Sequence, residues 1–134
     1  MAYSVDKNTL VDGPRHVIVR CNAVSDGTLT AGQDILIDKS GLVGPNPGIE
    51  PTKLVLEEVW YSIQGYEAIN LWWDHGASDT IIATLSGDGY QDFRSYGGIS
   101  DDGSTGTGDV IWTNVGTDTS GDTFSITLKM RKKA

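Results

Sequence analysis

The chain has 134 residues, a single cysteine, 17 glycines and a formal net charge of −8 at pH 7. This length fits one domain, and folding at this size buries roughly two-thirds of the surface of the unfolded chain. The lone Cys21 excludes an internal disulfide, and the acidic composition argues against non-specific nucleic-acid binding, which requires a basic surface.

The first fourteen residues, MAYSVDKNTLVDGP, lack a clear strand pattern and end in a turn signal. We expect residues 1–14 to form an N-terminal arm that is extended or mobile until another surface holds it. The start has neither the basic nor the apolar region of a signal peptide, and no segment approaches the ~20 apolar residues of a membrane span. The sequence therefore predicts a soluble protein, made in a cytosol, without membrane contacts.

Residues 15–134 alternate short apolar runs with turn signals, and no useful length shows convincing helical periodicity. The β-branched and aromatic content of the runs favours strands. We predict eight strands, at 15–24, 34–39, 53–63, 68–73, 80–85, 90–93, 109–113 and 122–131. Many short strands with regular turns indicate an all-β sandwich or barrel.

Two of these strands alternate clearly. In the first, the residues of one face are Val17, Val19, Cys21 and Ala23; in the last they are Phe124, Ile126, Leu128 and Met130. Because successive side chains of a strand point to opposite faces, each set predicts an inward face. Cys21 is therefore predicted to be a small buried hydrophobic residue and not a reactive thiol.

The four tryptophans divide by their neighbours. Trp60 and Trp112 stand among apolar residues, so we expect both in or near the core. In INLWWDHG, at 69–76, Trp73 shares a face with Ile69 and Leu71, which leaves Trp72 on the other face beside polar residues. One large aromatic on a polar face fits a protein–protein contact or a covered sheet better than a sugar platform of several coplanar rings.

The sequence contains only weak signals for a catalytic site. Asp74 and His75 are adjacent, so they cannot pair within a strand, and DHGASD has the composition of a turn. A hydrolase using His75 or His16 would need an oriented carboxylate in a cleft, and no nucleophile motif supports one.

Metal signals are equally weak, since the two histidines and Cys21 show no zinc spacing. The loop SDDGSTGTGD offers calcium three carboxylates, Asp101, Asp102 and Asp109, but it departs from the EF-hand order and reads better as a connector. We therefore predict no enzyme, no catalytic residue and no cofactor or metal site.

The C-terminal end is basic, since four of its last six residues are Lys129, Arg131, Lys132 and Lys133. This end is either a solvated tail or a segment that docks on an acidic neighbouring subunit.

Several segments taken together resemble small virion structural proteins of tailed bacteriophages. The likeness runs from about residue 12 to residue 133, through DGPRHVIVR, SDGT, LWWD, SGDGYQDFRSYGGIS, TGDVIWTNVG and SGDTFSITLKMRKK. These motifs are turns and strand ends, so they identify a family better than a chemistry. The resemblance implies a single-domain antiparallel β-sandwich, jelly-roll-like, of about eight strands with an extended N-terminal arm.

The resemblance also implies a role. It favours a capsid decoration (cement) protein on the outer surface of the major capsid protein lattice, as a homotrimer, located in the virion and in the host cytoplasm before assembly. A tail, neck or adhesion component with a carbohydrate-binding β-sandwich is the alternative. The residues expected to contact a partner are Asp12, Arg15, Trp72, Lys129, Arg131, Lys132 and Lys133.

Overall fold

The computed structural model describes residues 4–25, 34–44, 46, 48–76, 79–101, 106–116 and 119–133, which form ten β-strands and no α-helix. The strands are β1 Ser4–Asp12, β2 His16–Val24, β3 Asp34–Ile37, β4 Lys53–Gln64, β5 Ala68–Trp73, β6 Thr80–Leu85, β7 Asp88–Asp92, β8 Ile99–Ser100, β9 Val110–Val115 and β10 Thr123–Lys133. Two single-turn 3₁₀ helices, Lys39–Gly41 and Arg94–Tyr96, lie in the connections. Within the described ranges, no helix is long and apolar enough to cross a bilayer.

The strands form two antiparallel sheets. Sheet A has the order β1-β2-β10-β4-β7, with the short β8 also paired to β4, and sheet B has the order β3-β9-β5-β6. Without β1 and β8, each sheet contributes four strands in the order of a jelly roll, in which every connection except that from β5 to β6 crosses between the sheets. The predicted all-β sandwich is therefore confirmed, and its topology is that of a jelly roll.

All eight predicted strands are present, with ends that shift by a few residues, whereas β1 and β8 were not predicted. The segment expected as an N-terminal arm is extended, but from Ser4 to Asp12 it pairs with β2 and forms the edge of sheet A. A register irregularity between Thr9 and Val11 interrupts this pairing. The arm is thus held by the chain's own sheet across its described residues.

The core lies between the sheets and follows the two alternating patterns. The predicted inward sets of β2 and β10 are all buried. Trp73 and Trp112 join them from sheet B, and the Trp112 ring meets the Phe124 ring edge-on at 4.7 Å between centroids. Each such side chain contributes roughly 1.5–3 kcal/mol by leaving water. The two outer faces remain as the large surfaces on which function can act.

Candidate interaction surfaces

A row of apolar side chains crosses the outer face of sheet B. The registers align Ile35 of β3 with Ile111 of β9, Ile111 with Trp72 of β5, and Trp72 with Ile81 of β6. We call these four residues the sheet B stripe. Ile111 is buried, while Ile35 and Ile81 are 39% and 46% exposed at the two ends. The stripe is therefore a continuous apolar band with accessible ends on an otherwise mixed surface.

Trp72 lies in the centre of this stripe, on the face that the sequence predicted for it. Its indole N–H donates to the Thr113 hydroxyl at 2.9 Å, so the ring orientation is fixed while the side chain stays half-buried. In the next row, the Thr84 hydroxyl donates to the Asn70 side chain at 2.7 Å. An apolar band beside satisfied polar groups is the usual anatomy of a protein–protein contact.

The position of Trp60 differs from the prediction that it lies in or near the core. It lies on the outer face of sheet A and is 40% exposed, because its buried neighbours Val59 and Ile63 occupy the opposite face of β4. Its ring stacks on that of Tyr90, its partner on β7, with centroids 5.2 Å apart and planes at 29°. These rings support each other and do not form a flat, coplanar platform.

A shallow groove of about 350 Å³ lies beside Trp60 on the outer face of sheet A. Its lining residues come from five strands: Leu10, Arg20, Trp60, Tyr61, Ser62, Gly89, Ser125 and Thr127. We call it the sheet A groove. Small side chains at its centre keep it open.

Glu58 fixes the position of the stacked Trp60 and Tyr90 rings beside this groove. The Tyr90 hydroxyl donates to Glu58 Oε1 at 2.5 Å, and this hydrogen bond lowers the pKa of Glu58 and raises that of Tyr90 to about 12. Lys129 and Arg94 approach the same carboxylate at 3.3 Å and 3.5 Å. Tyr90 is therefore a neutral hydroxyl donor at physiological pH, and its ring has a fixed position.

The basic C-terminal residues belong to β10, and two of them make their contacts on sheet A. Lys129 pairs with Glu58, while Arg131 pairs with Glu57 at 3.6 Å and donates to the Gly97 carbonyl. Both remain partly accessible on the outer face.

Lys132 has an internal role. Its side chain is fully buried, forms an ion pair with Asp12, and donates to the carbonyls of Gly13 and Val43. The Asp12 carboxylate also accepts from the Val43 backbone N–H. Because these contacts join the end of β1, the β3–β4 connection and β10, the expectation that Lys132 contacts a partner is corrected, and Asp12 is chiefly its counter-ion.

The remaining expected contact residues lie at the surface. Arg15 is exposed in the turn between β1 and β2, and its carbonyl accepts from the Lys132 backbone N–H. Lys133 is exposed and donates to the Ser100 hydroxyl at 3.2 Å. Neither residue lines the sheet A groove or belongs to the sheet B stripe.

His75 lies in the turn after β5 and is buried with a carboxylate that sequence reasoning did not assign to it. Its Nε2 is 2.6 Å from Asp101 Oδ1, and its Nδ1 is 3.0 Å from the Thr80 hydroxyl. Asp74 instead accepts from Gly76 N–H, and Gly76 has a φ of 75°, as the predicted turn requires. The side chain of His75 thus joins two connections at one end of the sandwich, and it does not line the sheet A groove.

The other groups considered for chemistry also have structural partners. His16 is 3.1 Å from Glu57 on sheet A, and Asp109 accepts from the Lys39 backbone N–H. Asp102 lies outside the described residues. In the described part of the chain, no three His, Cys, Asp or Glu side chains are grouped so that they could hold a metal ion.

Comparison of the chain with protein-family models, with curated proteins and with solved structures found no match. The sequence indicated Trp72, in the centre of the sheet B stripe, but not the ends of the stripe, and it led us to expect Trp60 in or near the core. Strict alternation along β4 could have corrected the latter, because Trp60 shares a face with Glu58 and Ser62.

Proposed function

We propose that this protein is a non-enzymatic structural component of a tailed-phage virion that decorates the capsid. In this role it binds the outer surface of the major capsid protein lattice and stabilises the head. The observation that carries the proposal is the sheet B stripe, a band of apolar side chains across a whole sheet face. The sequence resemblance supplies the phage context, and the jelly roll is a fold that viral structural proteins use often.

The stripe suits a contact with a large protein surface better than a contact with a small molecule. Its central Trp72 is fixed by Thr113, and its accessible ends are aliphatic. Tryptophan anchors flanked by aliphatic side chains contribute much of the binding energy at protein interfaces. On a lattice, many copies bind at once, so a narrow contact on each copy is sufficient.

The other properties of the chain fit the same role. An acidic body with a net charge of −8 keeps the free protein soluble in the host cytoplasm before assembly. A rigid jelly roll adds a defined thickness to the shell, and homotrimeric assembly would match the local three-fold positions of a capsid lattice. Arg15 and Lys133 are exposed and remain candidate contacts at the edges of the interface.

Cryo-electron microscopy of native particles tests the location. We expect density of this size and fold on the outer capsid face, at local three-fold positions, with sheet B turned toward the shell. Density on the tail or neck would replace the decoration role with the alternative one, and absence from the particle would overturn both.

A reconstitution tests the surface. The double variant Ile35→Asp/Ile81→Asp places a charge at each accessible end of the stripe, where the folded protein tolerates it. On capsids from which this protein has been removed, we expect the occupancy of the double variant to be at least about tenfold lower than that of the wild type at equal concentration. Trp60→Ala, on the opposite sheet, is the matched control and should bind capsids like the wild type. Equal occupancy of the capsid by the wild type and both variants would show that the stripe does not bind the shell.

A further inference from the structure

The sheet A groove presents hydrogen-bonding groups that the rest of the fold does not use. The Arg20 guanidinium has five N–H donors, and it forms no hydrogen bond or ion pair with any other described residue. In the same ranges, the Trp60 indole N–H and the hydroxyls of Ser125 and Thr127 are also without protein partners. A ligand rich in oxygen atoms suits this set of groups, since it can accept from all of the donors.

Trp60 adds an apolar wall to the same groove. Tyr90 covers one face of its ring, so the opposite face is directed toward Thr127, its partner on β10. Thr127 is paired in turn with Arg20 on β2. Trp60 and Arg20 therefore lie two strands apart, which is about 10 Å. The groove thus joins a flat apolar face to a guanidinium across a floor of small side chains.

Sugar rings combine these two requirements. One face of a pyranose consists of C–H groups that pack on an aromatic ring, and its edges carry oxygen atoms that accept from guanidinium and indole N–H groups. The groove volume of about 350 Å³ is within the ~300–1,000 Å³ range of ligand sites. We propose that the sheet A groove binds a glycan chain, with one sugar ring packed on Trp60 and oxygen atoms of the next sugar accepting from Arg20.

The position of the groove disfavours a peptide. Peptides that bind as an added β-strand need a sheet edge, where backbone N–H and C=O groups are unpaired. The floor of the groove is formed by β2, β10 and β4, and β10 is paired on both of its sides. A ligand here must be recognised through side chains, as a glycan is.

The charges near the groove disfavour nucleic acid. The chain carries a net charge of −8, and the carboxylates of Asp88 and Asp92 lie on β7 at the Trp60 end of the groove. A phosphate backbone would be repelled by these groups. Arg20, the cation that lines the groove, can instead accommodate a glycan hydroxyl or a single sugar carboxylate.

The Trp60 wall is set before any ligand arrives. The Tyr90 hydroxyl donates to Glu58 at 2.5 Å, and Lys129 forms an ion pair with Glu58 at 3.3 Å. The Tyr90 ring, which stacks on Trp60, therefore has little conformational freedom. A preformed wall lowers the entropic cost of binding. This glycan site goes beyond the proposed capsid role and does not depend on it, because the free protein carries the whole groove.

The test is glycan binding by the purified, unassembled protein. An array printed with neutral hexose oligomers, N-acetylhexosamine oligomers and uronate-containing oligomers identifies the best probe, which is then titrated while tryptophan fluorescence and heat are measured. We expect binding to at least one class, with Trp60→Ala and Arg20→Ala each weakening it about tenfold or more. Tyr90→Phe, which frees the supporting ring, should cause a smaller loss.

The control is Ile35→Asp/Ile81→Asp, which alters only the opposite face and should bind the same glycan with unchanged affinity. Trp60 is partly exposed, so we expect Trp60→Ala to unfold at the same temperature as the wild type. This measurement separates loss of the binding site from loss of the fold. No binding to any printed class overturns the proposal, and so does binding that Trp60→Ala retains. Either result leaves the capsid role untouched, since that role is measured on particles.

Discussion

Cys21 is the residue whose chemistry burial changes most clearly. It lies on the inward face of β2, and burial raises the pKa of its thiol to about 12. We expect thiol reagents at pH 8 to label it far more slowly in the folded protein than in concentrated urea, because the folded thiol stays protonated. Fast labelling of the folded protein would contradict the burial of this face.

The same shift gives a pH dependence of stability. The unfolded thiol ionises near its ordinary pKa of 9.0, whereas the folded thiol ionises near 12. Between these values the unfolded state has lost the proton that the folded state keeps, so the free energy of unfolding falls as the pH rises. Cys21→Ala lacks this contribution, and its stability should decline less over this window in urea titrations.

Trp60 and Trp112 show what residue-level reasoning can and cannot determine. Both stand among apolar residues in the sequence, yet Trp112 is fully buried and Trp60 is 40% exposed. Apolar neighbours indicate that a strand has a buried face, but only the alternation indicates which residues share that face. His75 and Asp101 were unpredictable as a pair, because 26 positions separate two residues that the fold brings within 2.6 Å.

At the level of elements, β1 is the longer of the two strands that the sequence did not predict. Its residues are mostly polar because its described side chains lie at a sheet edge, so no apolar alternation reveals it. Seven of the eight jelly-roll strands were predictable because each contributes apolar residues to the core, whereas β7 has no buried residue. The order of the strands could not be read from the residues, since no local pattern records which strands become neighbours.

The contacts of Lys132 anchor β1 to the sandwich and can be tested by substitution. Asp12→Ala leaves a fully buried ammonium without its counter-ion, so we expect a loss of about 3 kcal/mol in the free energy of unfolding, measured in urea. Adding Lys132→Met to Asp12→Ala should recover part of this loss, because the uncompensated charge is removed. Asp6→Ala, an exposed position on the same strand, is the matched control.

An Asp12→Ala protein as stable as the control would show that the pair contributes nothing. The pair also affects how the proposed capsid contact should be tested. Deleting residues 1–12 removes an edge strand together with the counter-ion of Lys132, so a loss of particle binding after that deletion would not distinguish a lost contact from a weakened fold. Substitutions on the sheet B stripe avoid this ambiguity.

At the scale of the whole molecule, the two candidate surfaces lie on opposite faces of one sandwich. Sheet A carries the groove and sheet B carries the stripe, and packed sheets are about 10 Å apart with the core between them. A protein bound to a shell through sheet B therefore presents sheet A to the surroundings. The two proposals are compatible in space, and each has its own variants.

This arrangement predicts a difference in avidity between the free protein and decorated particles. A particle that carries many copies should bind a glycan-coated surface about 10²–10⁴ times more tightly than the free protein, because the grooves engage the surface together. Surface plasmon resonance of both forms on the same glycan measures the ratio. Particles decorated with Trp60→Ala should carry the protein at normal occupancy and fail to bind the surface. If wild-type particles bind no better than the free protein while their occupancy is high, then sheet A is not turned outward, and the orientation inferred from the sheet B stripe is wrong.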